Sequence, residues 1–131
     1  MECKELTRIT DGWLAMTDTV LSLQEIAPAE LQSLLRDTYL ALRAYHTETV
    51  IPKEVSRLLL EMQDFLYFAS LMEEKEVGVG FYRVQLLSAL IDALKRGFFA
   101  ADYGCAYPAL TVSGLTDTPF TVRFDGDIFA R

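Results

Sequence analysis

Apolar residues recur at alternating spacings of three and four along the first part of the chain. They occupy positions Leu6, Ile9, Trp13, Met16, Val20, Leu23 and Ala27. This spacing predicts a helix over residues 4–25 whose narrow apolar stripe packs nearly parallel to a neighbouring helix. Gly12 weakens its first turns, because glycine is a poor helix former.

A second helix is predicted over residues 28–46. Pro28 suits the first helical turn, and Glu30 is favourable near the positive end of the helix. Apolar and small residues again recur at helical spacing, so one face is expected to be buried. That face comprises Leu31, Leu34, Leu35, Thr38, Leu42 and Tyr45.

A third helix, predicted over residues 52–75 and opened by Pro52, differs from the others in having two apolar faces. Its main face comprises Val55, Leu58, Leu59, Met62, Phe65, Leu66, Ala69 and Met72. A second stripe on nearly the opposite side comprises Leu60, Tyr67 and Leu71. Because a helix with two apolar faces is buried on two sides, we expect the C-terminal tail or another subunit to cover the second stripe.

A fourth helix is predicted over residues 80–101, separated from the third by Gly78 and Gly80. Lys95 and Arg96 lie near its negative end, as the helix dipole favours. Its broad apolar face comprises Val84, Leu86, Leu87, Leu90, Ile91, Leu94 and Phe98. Four helices with short connections predict an antiparallel four-helix bundle over residues 4–101.

The helical period ends at about residue 102, and the remaining residues, 102–131, form an apolar tail. Val112 lies in one alternating segment, and Phe120, Val122 and Phe124 lie in another, with a turn-forming stretch between them. This pattern predicts a β-hairpin or an extended tail. Because an isolated hairpin is marginally stable in water, we expect the tail to pack on the bundle. The sequence thus predicts one mainly α domain.

Composition narrows the function classes. The chain has 131 residues, of which 51% are hydrophobic, and a formal net charge of −7. The high apolar content favours self-association or another protein partner, whereas the acidic charge disfavours nucleic acid. The sequence has no signal-like N-terminus, no apolar run of transmembrane length and no basic cluster for a membrane surface, so we expect a cytoplasmic protein. Cys3 and Cys105 are then expected to be reduced thiols.

The single histidine, His46, is the first candidate for chemistry. It lies at the edge of the second helix's apolar face, and Glu48 follows closely. A general base oriented by a carboxylate is one interpretation, and a histidine placed favourably at the negative end of a helix is the other. We favour the second and expect no catalytic residue, because no serine or cysteine stands in a recognisable nucleophile motif.

Acidic residues of the third helix are the candidates for a metal site. Glu61 and Asp64 are one turn apart, but Arg57 can pair with Glu61 on the helix surface. Di-iron carboxylate bundles need two Glu-x-x-His pairs, which a chain with one histidine cannot supply. We therefore predict no metal site and no cofactor.

One enzyme class is similar to this chain in size and helicity, namely the magnesium-dependent nucleotide pyrophosphohydrolases. Their usual pattern is Glu-Glu-x-x-Glu followed later by Glu-x-x-Asp. Here Glu61-Met-Gln-Asp64 precedes Glu73-Glu74, so the order is reversed. This class is therefore the weakest of three functional hypotheses.

The favoured hypothesis is a non-enzymatic protein that acts through protein–protein contacts, as a homo-oligomer or with another protein. The interface residues would be Leu60, Tyr67, Leu71, Val112, Phe120, Val122 and Phe124. The alternative is a small-molecule sensor with an apolar pocket between helices, in which Tyr39, Tyr45 and His46 are the polar anchors.

Overall fold

The protein is mainly helical, as the periodicity predicts. A computed structural model describes residues 2–24, 26–74, 84–107, 110–113 and 121–124. Four α-helices are followed by a short 3-10 helix. They are α1 Cys3–Leu21, α2 Pro28–Tyr45, α3 Lys53–Glu74, α4 Val84–Phe98 and the 3-10 helix Ala100–Tyr103.

Helix α1 ends earlier than predicted, at Leu21 instead of residue 25. Leu23 adopts a left-handed backbone conformation with φ of 62°. The amide of Leu23 donates to the carbonyl of Val20, and the amide of Gln24 donates to that of Thr19. This is the hydrogen-bond pattern of a Schellman motif, which stops a helix. Leu23 and Ala27 are consequently exposed, so the prediction that they continue the buried stripe is wrong.

Helix α4 ends at Phe98 and not at residue 101. A 3-10 turn takes over at Ala100, and Gly104 closes it with φ of 73°. Glycine suits this position because the left-handed region carries no side-chain penalty for it. The predicted start of α4 near residue 80 lies outside the described residues.

Each helix packs on two others. Helices α1 and α4 both contact α2 and α3, and the contact between α1 and α3 is the most extensive. Between α1 and α2, an Arg8 guanidinium nitrogen lies 3.5 Å from a carboxylate oxygen of Asp37. The two helices also approach each other at Gly12. A Cβ atom added to Gly12 would lie only 2.8 Å from Cδ1 of Leu34. Gly12 therefore permits a close approach of α2 in the middle of α1.

Trp13 links three helices in the core. Its Nε1 donates a hydrogen bond of 2.9 Å to Oγ1 of Thr38 on α2. The Thr38 hydroxyl in turn donates to the carbonyl of Leu34, at 2.7 Å. On the α3 side the Trp13 ring lies against Phe65, with 5.3 Å between ring centroids. All these residues are buried, so the indole N–H has its acceptor inside the core.

Two short strands are described in the tail, with their backbone only. β1, Leu110–Ser113, pairs antiparallel with β2, Thr121–Phe124, so that Val112 faces Val122 and Leu110 faces Phe124. Phe120 lies outside the described residues. The predicted packing of this segment on the bundle, and the interface role of Val112, Phe120, Val122 and Phe124, stay predictions.

Candidate functional site

Helix α3 presents an apolar stripe on the side that faces away from the core. The side chains of Leu60 and Tyr67 are 66% and 58% exposed, and Leu71 is half-buried. At about 100° per residue the three positions fall within about 40° of one another. We call this stripe the α3 face. The described part of the chain leaves Leu60 and Tyr67 largely uncovered.

The α3 face stays open because the neighbouring helices occupy other sides of α3. Phe65 contacts Trp13 on α1. On the opposite flank, the Oε1 atom of Gln63 accepts a hydrogen bond of 2.6 Å from Nζ of Lys95 on α4. Because α1 and α4 flank the helix in this way, its remaining side points away from the bundle.

Charged residues line the α3 face. Lys53, Arg57 and Asp64 are exposed. Within the described residues, the salt bridges join Arg8 to Glu5 and Asp37, and Arg96 to Asp92. The surface pair that the sequence suggests for Arg57 and Glu61 is therefore not formed. Both signs of charge remain available beside the apolar stripe.

The acidic pair of α3 does not gather further ligands. Glu61 is half-buried and Asp64 is exposed. Among the residues that the structure describes, no three histidine, cysteine, aspartate or glutamate side chains are placed to share a metal ion. Cys3 and Cys105 are both free thiols at the surface.

The second feature is an aromatic cluster at the end of α2, formed by Tyr39, His46 and Tyr107. The ring of Tyr107 lies 4.8 Å from that of His46 and 5.2 Å from that of Tyr39, between centroids. The Tyr107 hydroxyl donates a hydrogen bond of 2.9 Å to the backbone carbonyl oxygen of Tyr39. Burial raises the pKa of Tyr107, and the neighbouring Tyr39 adds to the effect while Arg43 opposes it. We call this group the Tyr107 cluster.

His46 terminates α2 as the cap residue, in agreement with the helix-end interpretation. Its Nδ1 lies 2.8 Å from the carbonyl oxygen of Arg43, so a proton on Nδ1 would be donated to that oxygen. The ring also packs against Tyr107, with the two ring planes tilted by 52°. Both contacts orient the imidazole within its own helix end.

The structure thus places two of the predicted ligand anchors, Tyr39 and His46, around one ring. Tyr39 and His46 both contact the Tyr107 ring, and Tyr39 and Tyr45 are both packed against the main core. A ligand stacking on the same side of Tyr39 and His46 would have to displace Tyr107. A ligand site here stays a prediction. For Tyr107, the sequence predicted only that it belongs to a generally apolar tail.

Two further findings bear on function. None of the described helices combines the length and the apolar character needed to cross a membrane. No protein-family model, curated protein or solved structure matches this chain. Its function therefore has to follow from the side chains described above.

Proposed function

We propose that this protein is a non-enzymatic, cytoplasmic protein-binding module. It forms an antiparallel four-helix bundle with its C-terminal segment packed on α2, and it binds a protein partner through the α3 face. The exposure of Leu60 and Tyr67 on one side of a single helix supports this proposal most strongly.

The energetic reason is the apolar area left in water. Burying one such side chain contributes about 1.5–3 kcal/mol, so covering two or three of them supplies a large part of a moderate binding energy. Isolated exposed apolar residues are common and need no explanation. Here the residues repeat at intervals of seven and four, Leu60, Tyr67 and Leu71, which is the pattern by which one helix contacts another.

The composition of the stripe fits an interface as well. Tyrosine is enriched at protein interfaces, because its ring buries a large area while its hydroxyl stays hydrated. Tyr67 is supported by an edge-on contact with the ring of Phe68, at 5.3 Å between centroids. An aromatic side chain held in this way loses little conformational entropy on binding.

The alternatives find less support. A general-base role for His46 needs an imidazole that reaches a substrate, whereas Nδ1 points to the Arg43 carbonyl and the Tyr107 ring packs against the imidazole. A small-molecule site at the same place would compete with that Tyr107 contact. The protein–protein hypothesis needs no such displacement.

The test is a matched pair of charge insertions. Leu60→Glu places a carboxylate in the α3 face, and Leu40→Glu places one at an exposed leucine of α2. Each variant is first checked for native helicity by circular dichroism. We expect Leu60→Glu, and Tyr67→Glu likewise, to reduce association at least tenfold in sedimentation equilibrium or in titration with a purified partner. Association that is equally strong in the wild type, Leu60→Glu and Leu40→Glu would contradict the proposal.

A further inference from the structure

We infer that the partner of the α3 face is the α3 face of a second copy of this chain, with the two helices antiparallel about a two-fold axis near Leu60. This inference rests on the proposed function and adds the identity and the register of the partner.

The distribution of charge along α3 carries the inference. Lys53 and Arg57 are exposed in the first half of the helix, and Asp64 is exposed in the second half. Among the described residues none of the three takes part in a salt bridge. An antiparallel second copy would bring these exposed basic residues of each α3 face towards the exposed Asp64 of the other.

One register satisfies these charges and the apolar residues together. In an antiparallel helix pair, the sequence numbers of two facing residues add up to the same value along the whole pair. With the axis at Leu60, that value is about 120. Leu60 then faces its own counterpart, and Arg57 faces Asp64. Because the two-fold axis repeats each contact, two oppositely charged pairs flank one central leucine pair.

The same register pairs two further exposed residues of the α3 face. Lys53 faces Tyr67, so its ammonium group can lie over the tyrosine ring in a cation–π contact.

The first test exchanges the charges. Arg57→Glu leaves acidic groups at both facing positions, and Asp64→Arg leaves basic groups at both. Each variant alone is expected to self-associate at least tenfold more weakly than the wild type. An equimolar mixture of the two is expected to recover wild-type affinity as a heterodimer, because each acidic position then faces a basic one. The double variant Arg57→Glu, Asp64→Arg is expected to recover it as a homodimer.

Matched controls distinguish an effect of the register on self-association from an effect of net charge. Arg36→Glu on α2 and Asp11→Arg on α1 make the same charge changes at exposed sites away from the α3 face. They are expected to change self-association less than threefold. Sedimentation equilibrium between about 1 µM and about 500 µM covers the range of weak dimers.

The second test does not depend on charge. In a background with Cys3→Ser and Cys105→Ser, Leu60→Cys places two thiols at the axis, where facing Cα atoms are close enough for a disulfide. Mild oxidation is expected to give a covalent dimer rapidly. Arg36→Cys in the same background is the control and is expected to remain mainly monomeric.

The outcomes distinguish the inference from the proposed function. A wild-type chain that is monomeric throughout the range, with Leu60→Cys no faster to cross-link than Arg36→Cys, would overturn the second copy as the partner. Loss of binding to a different purified protein in Leu60→Glu would still support the α3 face. A dimer that Leu60→Glu dissociates but the charge exchange does not restore would overturn the register.

Discussion

The hydroxyl of Tyr107 donates a hydrogen bond of 2.9 Å to the backbone carbonyl oxygen of Tyr39, across 68 positions of sequence. Its ring lies at the same time against the rings of Tyr39 and His46. The segment that follows α4 is therefore bound to α2 through Tyr107 before β1 begins. This contact holds Tyr107 against α2.

Removing the Tyr107 hydroxyl should destabilise the protein measurably. Tyr107→Phe keeps the ring contacts but deletes one half-buried hydrogen bond, which is worth about 0.5–1.5 kcal/mol. Tyr103→Phe is the matched control, because Tyr103 is almost fully exposed. Urea unfolding is expected to show a lower unfolding free energy for Tyr107→Phe and no change for Tyr103→Phe. Equal free energies for both variants would mean that the hydrogen bond contributes nothing.

The raised pKa of Tyr107 predicts a loss of stability in alkaline solution. The folded protein favours the neutral phenol, so the stabilisation is fully present below the ordinary tyrosine pKa of about 10. Above that pH the unfolded chain loses this proton more readily than the folded chain does. The unfolding free energy should therefore fall as the pH rises beyond about 10.

The control for this pH dependence is Tyr107→Phe, which lacks the titrating group. Its unfolding free energy is expected to fall less steeply than that of the wild type between about pH 9 and about pH 11. Parallel curves for the two proteins would show that other groups account for the alkaline loss.

Leu23→Gly should stabilise the protein, although it removes a large side chain. Leu23 is 55% exposed and has a left-handed φ of 62°, which is costly for every residue except glycine. We expect a gain of about 0.5–1 kcal/mol in unfolding free energy, less the entropy that glycine adds to the unfolded chain. Leu40→Gly, at an exposed leucine inside α2, is expected to lower the unfolding free energy by about 1 kcal/mol. The same sign for both substitutions would contradict the role assigned to Leu23.

Thr38→Val should lower the unfolding free energy by more than its small change in shape implies. It leaves the buried indole N–H of Trp13 without its acceptor, a loss of about 1–3 kcal/mol. Thr19→Val removes a similar hydroxyl bond, from Thr19 to the Ala15 carbonyl, at a partly exposed position. Its effect is expected to stay within about 0.5 kcal/mol. Thermal unfolding monitored by Trp13 fluorescence distinguishes the two.

The sequence predicted the helices well because each one buries a continuous stripe. Residues such as Leu6, Leu35, Phe65 and Leu90 are buried where periodicity places them. The end of α1 was missed because apolar spacing continues through Leu23, whereas the Schellman turn depends on backbone hydrogen bonds that residue types do not specify. A leucine in the left-handed position is the opposite of the usual glycine signal.

The candidate site was predictable only in part. The second stripe of α3 was visible as Leu60, Tyr67 and Leu71, since helical spacing alone places them on one side. The Tyr107 cluster was not, because it joins the end of α2 to a segment without periodicity. Contacts between distant segments of irregular chain leave no repeating pattern in the sequence. The close approach of Leu34 to Gly12 was not predicted either, because helical spacing does not specify which residues of two helices face each other.

Photo-cross-linking in living cells tests the α3 face most directly. A photoreactive amino acid is placed at position 60, at position 67 or, as the control, at position 40. We predict one discrete adduct from positions 60 and 67, at twice the mass of the chain, and none from position 40. Adding Arg57→Glu is expected to abolish this adduct. Co-expressing that chain with one that carries Asp64→Arg is expected to restore it. Equal, diffuse labelling from all three positions would contradict a binding role for the α3 face.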